Sequence, residues 1–208
     1  MGNVLGHPRG LEPAGRTNSR VTSAQIFTFL VLCIFVTGCK HVQPLDTKPL
    51  DASGMNYNTI KKLELLHITA PEIAELSKVR SAGLSDASCI ELFEISHGRG
   101  EPFTSGDAVV GLIRVGMREP NILEIARLNQ LGINAGELQA IRLTGLSDAI
   151  VLEVARHRAE GKPELSGASL AGMKNAGLRE STLLELARRG ISDSQATAII
   201  ASRRHGAS

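Results

Sequence analysis

The chain predicts an all-α fold, a tandem helical-hairpin array resembling a short α-solenoid and built from two units near 60 residues. Three observations predict it. The pentapeptide Gly-Leu-Ser-Asp-Ala stands at 83–87 and recurs 62 positions later at 145–149. From Pro102 to Arg127 a shift of 61 then finds identical partners for Pro102, Ser105, Gly106, Gly111, Gly116, Arg118, Glu119, Leu123, Glu124, Ala126 and Arg127. Between these markers apolar residues recur at steps of three and four, and no stretch alternates as a strand. The change of shift places an insertion at Gly98 to Glu101 or at Glu160 to Lys162, where a loop tolerates it.

Within each unit one corner recurs: helix, glycine, apolar residue, polar residue, helix. Its instances are Gly83-Leu84-Ser85, Gly116-Met117-Arg118, Gly132-Ile133-Asn134, Gly145-Leu146-Ser147, Gly177-Leu178-Arg179 and Gly190-Ile191-Ser192. Glycine takes the left-handed conformation that closes a helix, and the apolar residue after it folds back on the last turn. The polar residue opens the next helix. Thr69 with Glu72, Asn134 with Glu137, and Ser192 with Gln195 have capping-box spacing, and Pro71 suits a first turn. The helices are expected near 58–67, 70–82, 86–97, 105–115, 119–130, 135–143, 148–160, 167–176, 180–189 and 193–204. In 121–131 the set Ile122, Ile125, Ala126 and Leu128 faces the core, while Glu124, Arg127 and Gln130 face away. Leu183, Leu186 and Ala187 repeat this set, and Glu124 with Arg127 and Glu185 with Arg188 or Arg189 are spaced to pair along the surface.

Before the array lies a different kind of sequence. Arg16 and Arg20 precede Ile26 to Val36, which is apolar apart from Thr28 and much shorter than the ~20 residues of a spanning helix. It ends in Val36-Thr37-Gly38-Cys39. This tetrad resembles the lipobox of bacterial lipoproteins, and the resemblance implies removal of residues 1–38 and acylation at Cys39. Acyl chains contribute roughly 0.8 kcal/mol per buried CH₂, enough to hold a protein on a membrane without a transmembrane helix. Lys40 follows the cysteine, where aspartate in that family favours inner-membrane retention, so the resemblance implies the outer membrane and its periplasmic face. Residues 39–57 read as a lipidated flexible tether, and 58–205 as the helical repeat domain with units about 70–133 and 134–204. The corner pattern, carried by Leu76 to Ile90 and Leu138 to Val151, resembles tandem helical-hairpin repeats of bacterial envelope proteins that have no defined activity. It also looks distantly like the DNA-binding helix-hairpin-helix, but each corner has one glycine, and Asp86 and Asp148 place carboxylates where phosphate would sit.

Charge and composition narrow the partners. The chain has 23 basic and 21 acidic residues; without Arg9, Arg16, Arg20 and Glu12 the numbers become equal. A nucleic-acid binder normally carries a basic excess. The Arg-rich end, Arg188, Arg189, Arg203 and Arg204, reads as complementing helix C-termini. Trp is absent, Tyr57 is the one tyrosine, and Phe93 and Phe103 are the phenylalanines after the signal, so no stacking platform for sugars or bases is apparent. Of three cysteines, Cys33 leaves with the signal, Cys39 is the lipid-bearing one, and Cys89 lies on an apolar helical face as a core residue.

The chain lacks His-Glu-x-x-His, Gly-x-Ser-x-Gly and a phosphate loop. His41, His67, His97, His157 and His205 have no histidine or cysteine at ligand spacing, so no metal or other cofactor is expected. Asp86 and Asp148 are equivalent positions that the helix dipole explains. No catalytic residue emerges, and no small-molecule substrate. The sequence thus points to a non-enzymatic envelope lipoprotein that meets the membrane through its lipid anchor and engages a protein partner as an interaction or scaffold module. A cell-wall-associated enzyme or enzyme accessory, and a helix-hairpin-helix-like nucleic-acid binder, are the alternatives.

Overall fold

The computed structural model describes residues 45–132 and 134–205. Cys39, the apolar segment before it and His41 lie outside the described residues. Eleven helices and no strand are present among the described ones: α1 (Lys48–Ala52), α2 (Tyr57–Leu65), α3 (Ala70–Ser81), α4 (Asp86–His97), α5 (Gly106–Arg114), α6 (Glu119–Arg127), α7 (Ala135–Leu143), α8 (Asp148–Ala159), α9 (Gly167–Asn175), α10 (Glu180–Arg188) and α11 (Asp193–His205). None of these helices is long and apolar enough to cross a membrane.

The helices form two rows. Odd-numbered helices pack in succession from α1 to α11, and even-numbered helices do the same from α2 to α10. Each odd helix up to α9 also packs on the even helix that follows it, so the rows are joined as hairpins. The core lies between them. Leu63, Leu76, Leu112, Ile122, Ile125, Leu138, Ile150 and Leu183 are fully buried there, each at the inward phase of a helical period.

The array starts earlier than the tether assignment of 39–57 placed it. Helix α1 buries Leu50 completely, Met55 is 3 % exposed, and α2 opens at Tyr57. Five residues are too short to display a helical period, which is why this segment reads as linker in sequence.

Most corners close as the spacing requires. At Gly83, with φ of 105°, the Gly83 N–H donates to Arg80 O (3.0 Å) and the Leu84 N–H to Val79 O (3.3 Å), the paired bonds of a Schellman ending. The apolar follower Leu84 is 2 % exposed, and Met117, Leu146 and Leu178 are buried in the same place. Gly132-Ile133-Asn134 is the exception. Helix α6 ends instead at Asn129, which holds φ of 58°, and the N–H of the next residue, Gln130, donates to Ile125 O (3.0 Å). Gln130 therefore takes the inward follower position and is 8 % exposed, rather than facing solvent. Asparagine tolerates the left-handed region better than most side chains, so a helix can stop here without glycine. The Asn134 capping box does not form either: its side chain makes no cap bond and its amide donates to Gln130 Oε1 at 2.7 Å. The other two boxes do form. Thr69 N–H donates to Glu72 Oε2 (2.9 Å), and Ser192 N–H donates to Gln195 Oε1 (2.8 Å).

Glycines inside the odd helices serve close approach. A Cβ at Gly106 would sit 2.9 Å from the backbone oxygen of Glu75 in α3 and 3.2 Å from its Cα. At Gly172 it would meet Ile200 of α11 at 2.9 Å. Gly136 faces open space, with nothing within 4 Å. Gly106→Ala should therefore lower unfolding stability by about 1–3 kcal/mol because backbone must move. Gly136→Ala should raise it by a few tenths to about 1 kcal/mol through reduced chain entropy. Urea denaturation of both variants checks this, and equal stability of Gly106→Ala and the parent would refute the close-approach account.

Candidate functional site

The charged and polar side chains with the most structured surroundings lie at the helix starts. A helix leaves its first N–H groups without intrahelical partners. In the even row the first residue of the next even helix supplies an acceptor. Asn56 N–H donates to Asp86 Oδ2 (2.8 Å), Ser85 N–H to Glu119 Oε1 (3.2 Å), Arg118 N–H to Asp148 Oδ2 (3.2 Å) and Ser147 N–H to Glu180 Oε1 (2.9 Å). The odd row closes in this way at its end, where Ser166 N–H donates to Asp193 Oδ1 (2.9 Å).

Asp86 and Asp148 anchor the fullest version of this joint. Asp148, 6 % exposed, also accepts from the Asn121 amide (2.6 Å) and pairs with Arg142 Nε (2.9 Å). Arg142 spreads its remaining donors onto Leu146 O (3.0 Å) and Gly116 O (3.5 Å). One unit earlier, Asp86 accepts from Thr59 Oγ1 (3.1 Å) and pairs with Arg80 Nε (2.6 Å). Arg80 donates to Leu84 O (3.2 Å) and Gly54 O (3.0 Å). The helix dipole alone thus understates both aspartates: each ties the start of one helix to the end of another through an arginine fork.

Electrostatics follow from this geometry. Burial would push the Asp148 carboxyl up, but the N–H and guanidinium of Arg118, the Asn121 amide and the charge of Arg142 outweigh it and hold the group below its ordinary value. Burial likewise opposes ionisation at Glu119 and Asp193, and donors from Ser85 and Ser88, and from Ser169 and Ser166, reverse the balance.

A second cluster surrounds Glu72, which is fully buried. Its Oε2 accepts from Thr69 N–H and Thr69 Oγ1–H, and its Oε1 lies 3.0 Å from Phe103 N and 2.7 Å from His97 Nε2. Desolvation raises this carboxyl, yet the bonds from Thr69, Phe103 and His97 together bring it below the usual range. Phe93 stacks on the His97 ring with centroids 4.0 Å apart. Glu72 thereby fastens the connection between α4 and α5 to the start of α3. The connection between α8 and α9 is held differently, by His157 Nδ1 bonding Pro163 O at 2.9 Å.

Cys89 is fully buried, and desolvation pushes its thiol up to about 12, so it stays a protonated core group at neutral pH. His67 closes α2 with φ of 61°. Arg189 pairs with Glu185 (3.0 Å) and Arg127 with Glu124 (3.3 Å), as spaced. Arg127 also pairs with Glu91, and Arg156 reaches Glu124 at 3.6 Å, so exposed pairs run from helix to helix along the even row. Among the described residues no group of three His, Cys, Asp or Glu side chains is placed to hold a metal ion. Arg99 carries a role that sequence reasoning missed, donating to Ala126 O (2.6 Å) and Arg127 O (2.7 Å) at the end of α6.

No family model, curated protein or solved structure matches this chain.

Asp148→Asn should destabilise the fold by about 2–4 kcal/mol at neutral pH, since it leaves the guanidinium groups of Arg118 and Arg142 without their counter-charge. The folded carboxyl titrates below its unfolded value, so its stabilisation is complete above about pH 4 and is lost as pH falls through the folded value. Urea midpoints from pH 7 to pH 2 should fall less steeply for Asp148→Asn than for the parent. Parallel curves would show that the carboxylate does not carry this term.

Proposed function

We propose that this protein is a lipid-anchored, non-enzymatic module of the bacterial cell envelope that binds a protein partner across its helical array. The observation that carries this reading is where the ionised groups are used. Glu72, Glu119, Asp148 and Asp193, each held below the ordinary carboxylate value, accept from donors of the array itself. Groups poised for catalysis stand in a cleft facing substrate. These face neighbouring helices, and what the array offers outward is surface. The lipobox-like Val36-Thr37-Gly38-Cys39 supports the anchor, with the periplasmic face of the outer membrane as its location.

The finer architecture belongs to the same proposal. The array is a short α-solenoid of four-helix units, α1–α4, α5–α8 and the shortened α9–α11. Left-handed residues support this spacing: Gly54, Gly116 and Gly177 recur at 62 and 61 residues, as do His67, Asn129 and Gly190. The repeat thereby reaches back through α1 and α2 to Lys48, ahead of the pair of units at 70–133 and 134–204. Leu50 with Leu112, Met55 with Met117, Ile60 with Ile122 and Leu66 with Leu128 are identities that carry this extension.

Cys39→Ala should move the protein from the membrane to the soluble fraction, and intact mass should show the parent beginning at an acylated Cys39. Membrane retention of the variant would remove acylation as the anchor. In a separate test, a duplex oligonucleotide at low salt should show no saturable binding, because nucleic-acid affinity is strongest there. A salt-sensitive complex would replace the protein partner with nucleic acid.

A further inference from the structure

Two seams of the odd row are repeat copies with different linings. Helices α3 and α5 pack side by side, and a groove of about 490 Å³ runs along their contact, lined by Lys78, Ala82, Asp107, Val110, Ile113 and Arg114 among others. That volume falls within the roughly 300–1,000 Å³ of ligand clefts. One unit later α7 and α9 form the equivalent seam. There the counterparts of Ala82, Val110, Ile113 and Arg114, at 61 or 62 positions on, are Thr144, Ala171, Lys174 and Asn175. Lys174 lies across that seam and donates from Nζ to Thr144 O at 2.7 Å. The later seam is thus bridged by a residue of its own. In the earlier one Ile113 stands where the bridging lysine would be, and Val110 stands where Ala171 has a single methyl group. Both aliphatic side chains are half-buried, and they form the floor of the groove. Leaving such surface in contact with water costs free energy that the later seam avoids.

The rim shows which charge is unanswered. Lys78 pairs with Glu75 at 2.8 Å and with Asp107 at 3.2 Å, so these groups neutralise one another. Arg114 is exposed, and among the described residues it has no ion-pair partner. The groove also reaches the end of α3, and the last carbonyls of a helix lack intrahelical donors. Lys174 supplies such a donor in the later seam, whereas Ile113 has none to give. A complementary occupant therefore brings a carboxylate for Arg114, aliphatic side chains for Val110 and Ile113, and N–H groups for the α3 carbonyls. A peptide has all three; a fatty acid lacks the donors.

We infer that the α3–α5 groove docks a short aliphatic and acidic peptide segment of a partner protein, its carboxylate against Arg114 and its aliphatic side chains on Val110 and Ile113. This deepens the interaction-module reading and rests on it. The aliphatic contacts supply affinity, and the charged contact fixes the direction in which the segment lies.

The probe is a labelled, end-blocked peptide, Gly-Leu-Leu-Asp-Leu-Gly, titrated against the full chain in mild detergent. Fluorescence anisotropy reads the strength of binding, and the methyl NMR signals of Val110 and Ile113 read its place. Saturable binding that shifts these methyls is expected, with a peptide carrying asparagine for aspartate about tenfold weaker. Arg114→Ala in the protein should weaken the parent peptide by a similar factor, and the two changes together should cost little more than either alone. Ile113→Lys, which installs the bridging residue of the later seam, should abolish binding. Arg114 is exposed, so its variant should melt with the parent, and the outcome does not hang on the folding of Ile113→Lys. Absence of binding, equal binding of a peptide with lysine for aspartate, or indifference to Arg114→Ala overturns the proposal. So does movement of the same methyls by self-association on concentration, or by anionic vesicles without peptide. Occupation of the groove by the chain's own N-terminal residues would leave the methyls unmoved by peptide and overturns it as well. Cys39→Ala fractionation reads the anchor independently, so failure of this groove is distinguishable from failure of the envelope reading.

Discussion

A carboxylate at the start of one helix accepting the N–H at the start of the helix two before it is the interaction on which this array depends. Tight corners bring helix ends together, and helix ends carry unpaired N–H groups that favour negative charge. Placing aspartate or glutamate at the first helical position of α4, α6, α8 and α10 answers both needs with one residue type. Hydrogen bonds of this charged kind contribute about 1.5–3 kcal/mol, more than a neutral pair, and they weaken steeply once the N–H points away from the oxygen. The bond therefore sets how far each even helix slides along its neighbour. Apolar packing alone is less discriminating, because sliding a helix by a turn still leaves hydrophobic side chains facing one another.

The odd row reaches register by different means. Gly106 rests against the Glu75 backbone, where a methyl group does not fit, and Gly172 lies against the end of the Ile200 side chain. Arg80 and Arg142 then link the rows, since each begins in an odd helix, pairs with an even helix's aspartate, and ends on the backbone of Gly54 or Gly116. Steric contact on one side and charge on the other fix the same spacing twice.

Much of this was legible in the sequence, because caps and glycine corners act through neighbours a few residues apart. The helices from α3 to α11 lie close to their expected bounds, and the boxes at Thr69 and Ser192 form as spaced. The misreadings have a common cause. Gly132 drew the corner to itself because glycine is the usual helix stop, while Asn129, which performs that role, is a residue with many other uses. Gln130 then looked like a surface residue, though its position after the stop turns it inward. The Glu72 cluster was invisible because Phe103 and His97 lie 31 and 25 residues away, and no local spacing announces a contact of that range. Asp86 and Asp148 were seen, but as local dipole partners; their distant donors could not be inferred before the rows were known.

The span of those carboxylate bonds has a kinetic side. From Asn56 to Asp86, Ser85 to Glu119, Arg118 to Asp148 and Ser147 to Glu180 they join residues 30, 34, 30 and 33 apart, and none ties one end of the array to the other. Low contact order of this kind favours rapid folding. The bonds also run one way, always from a later acid back to an earlier amide, so a chain emerging from its N-terminal side completes each joint as the next hairpin appears. Order can then grow from the N-terminal side without waiting for the final helix.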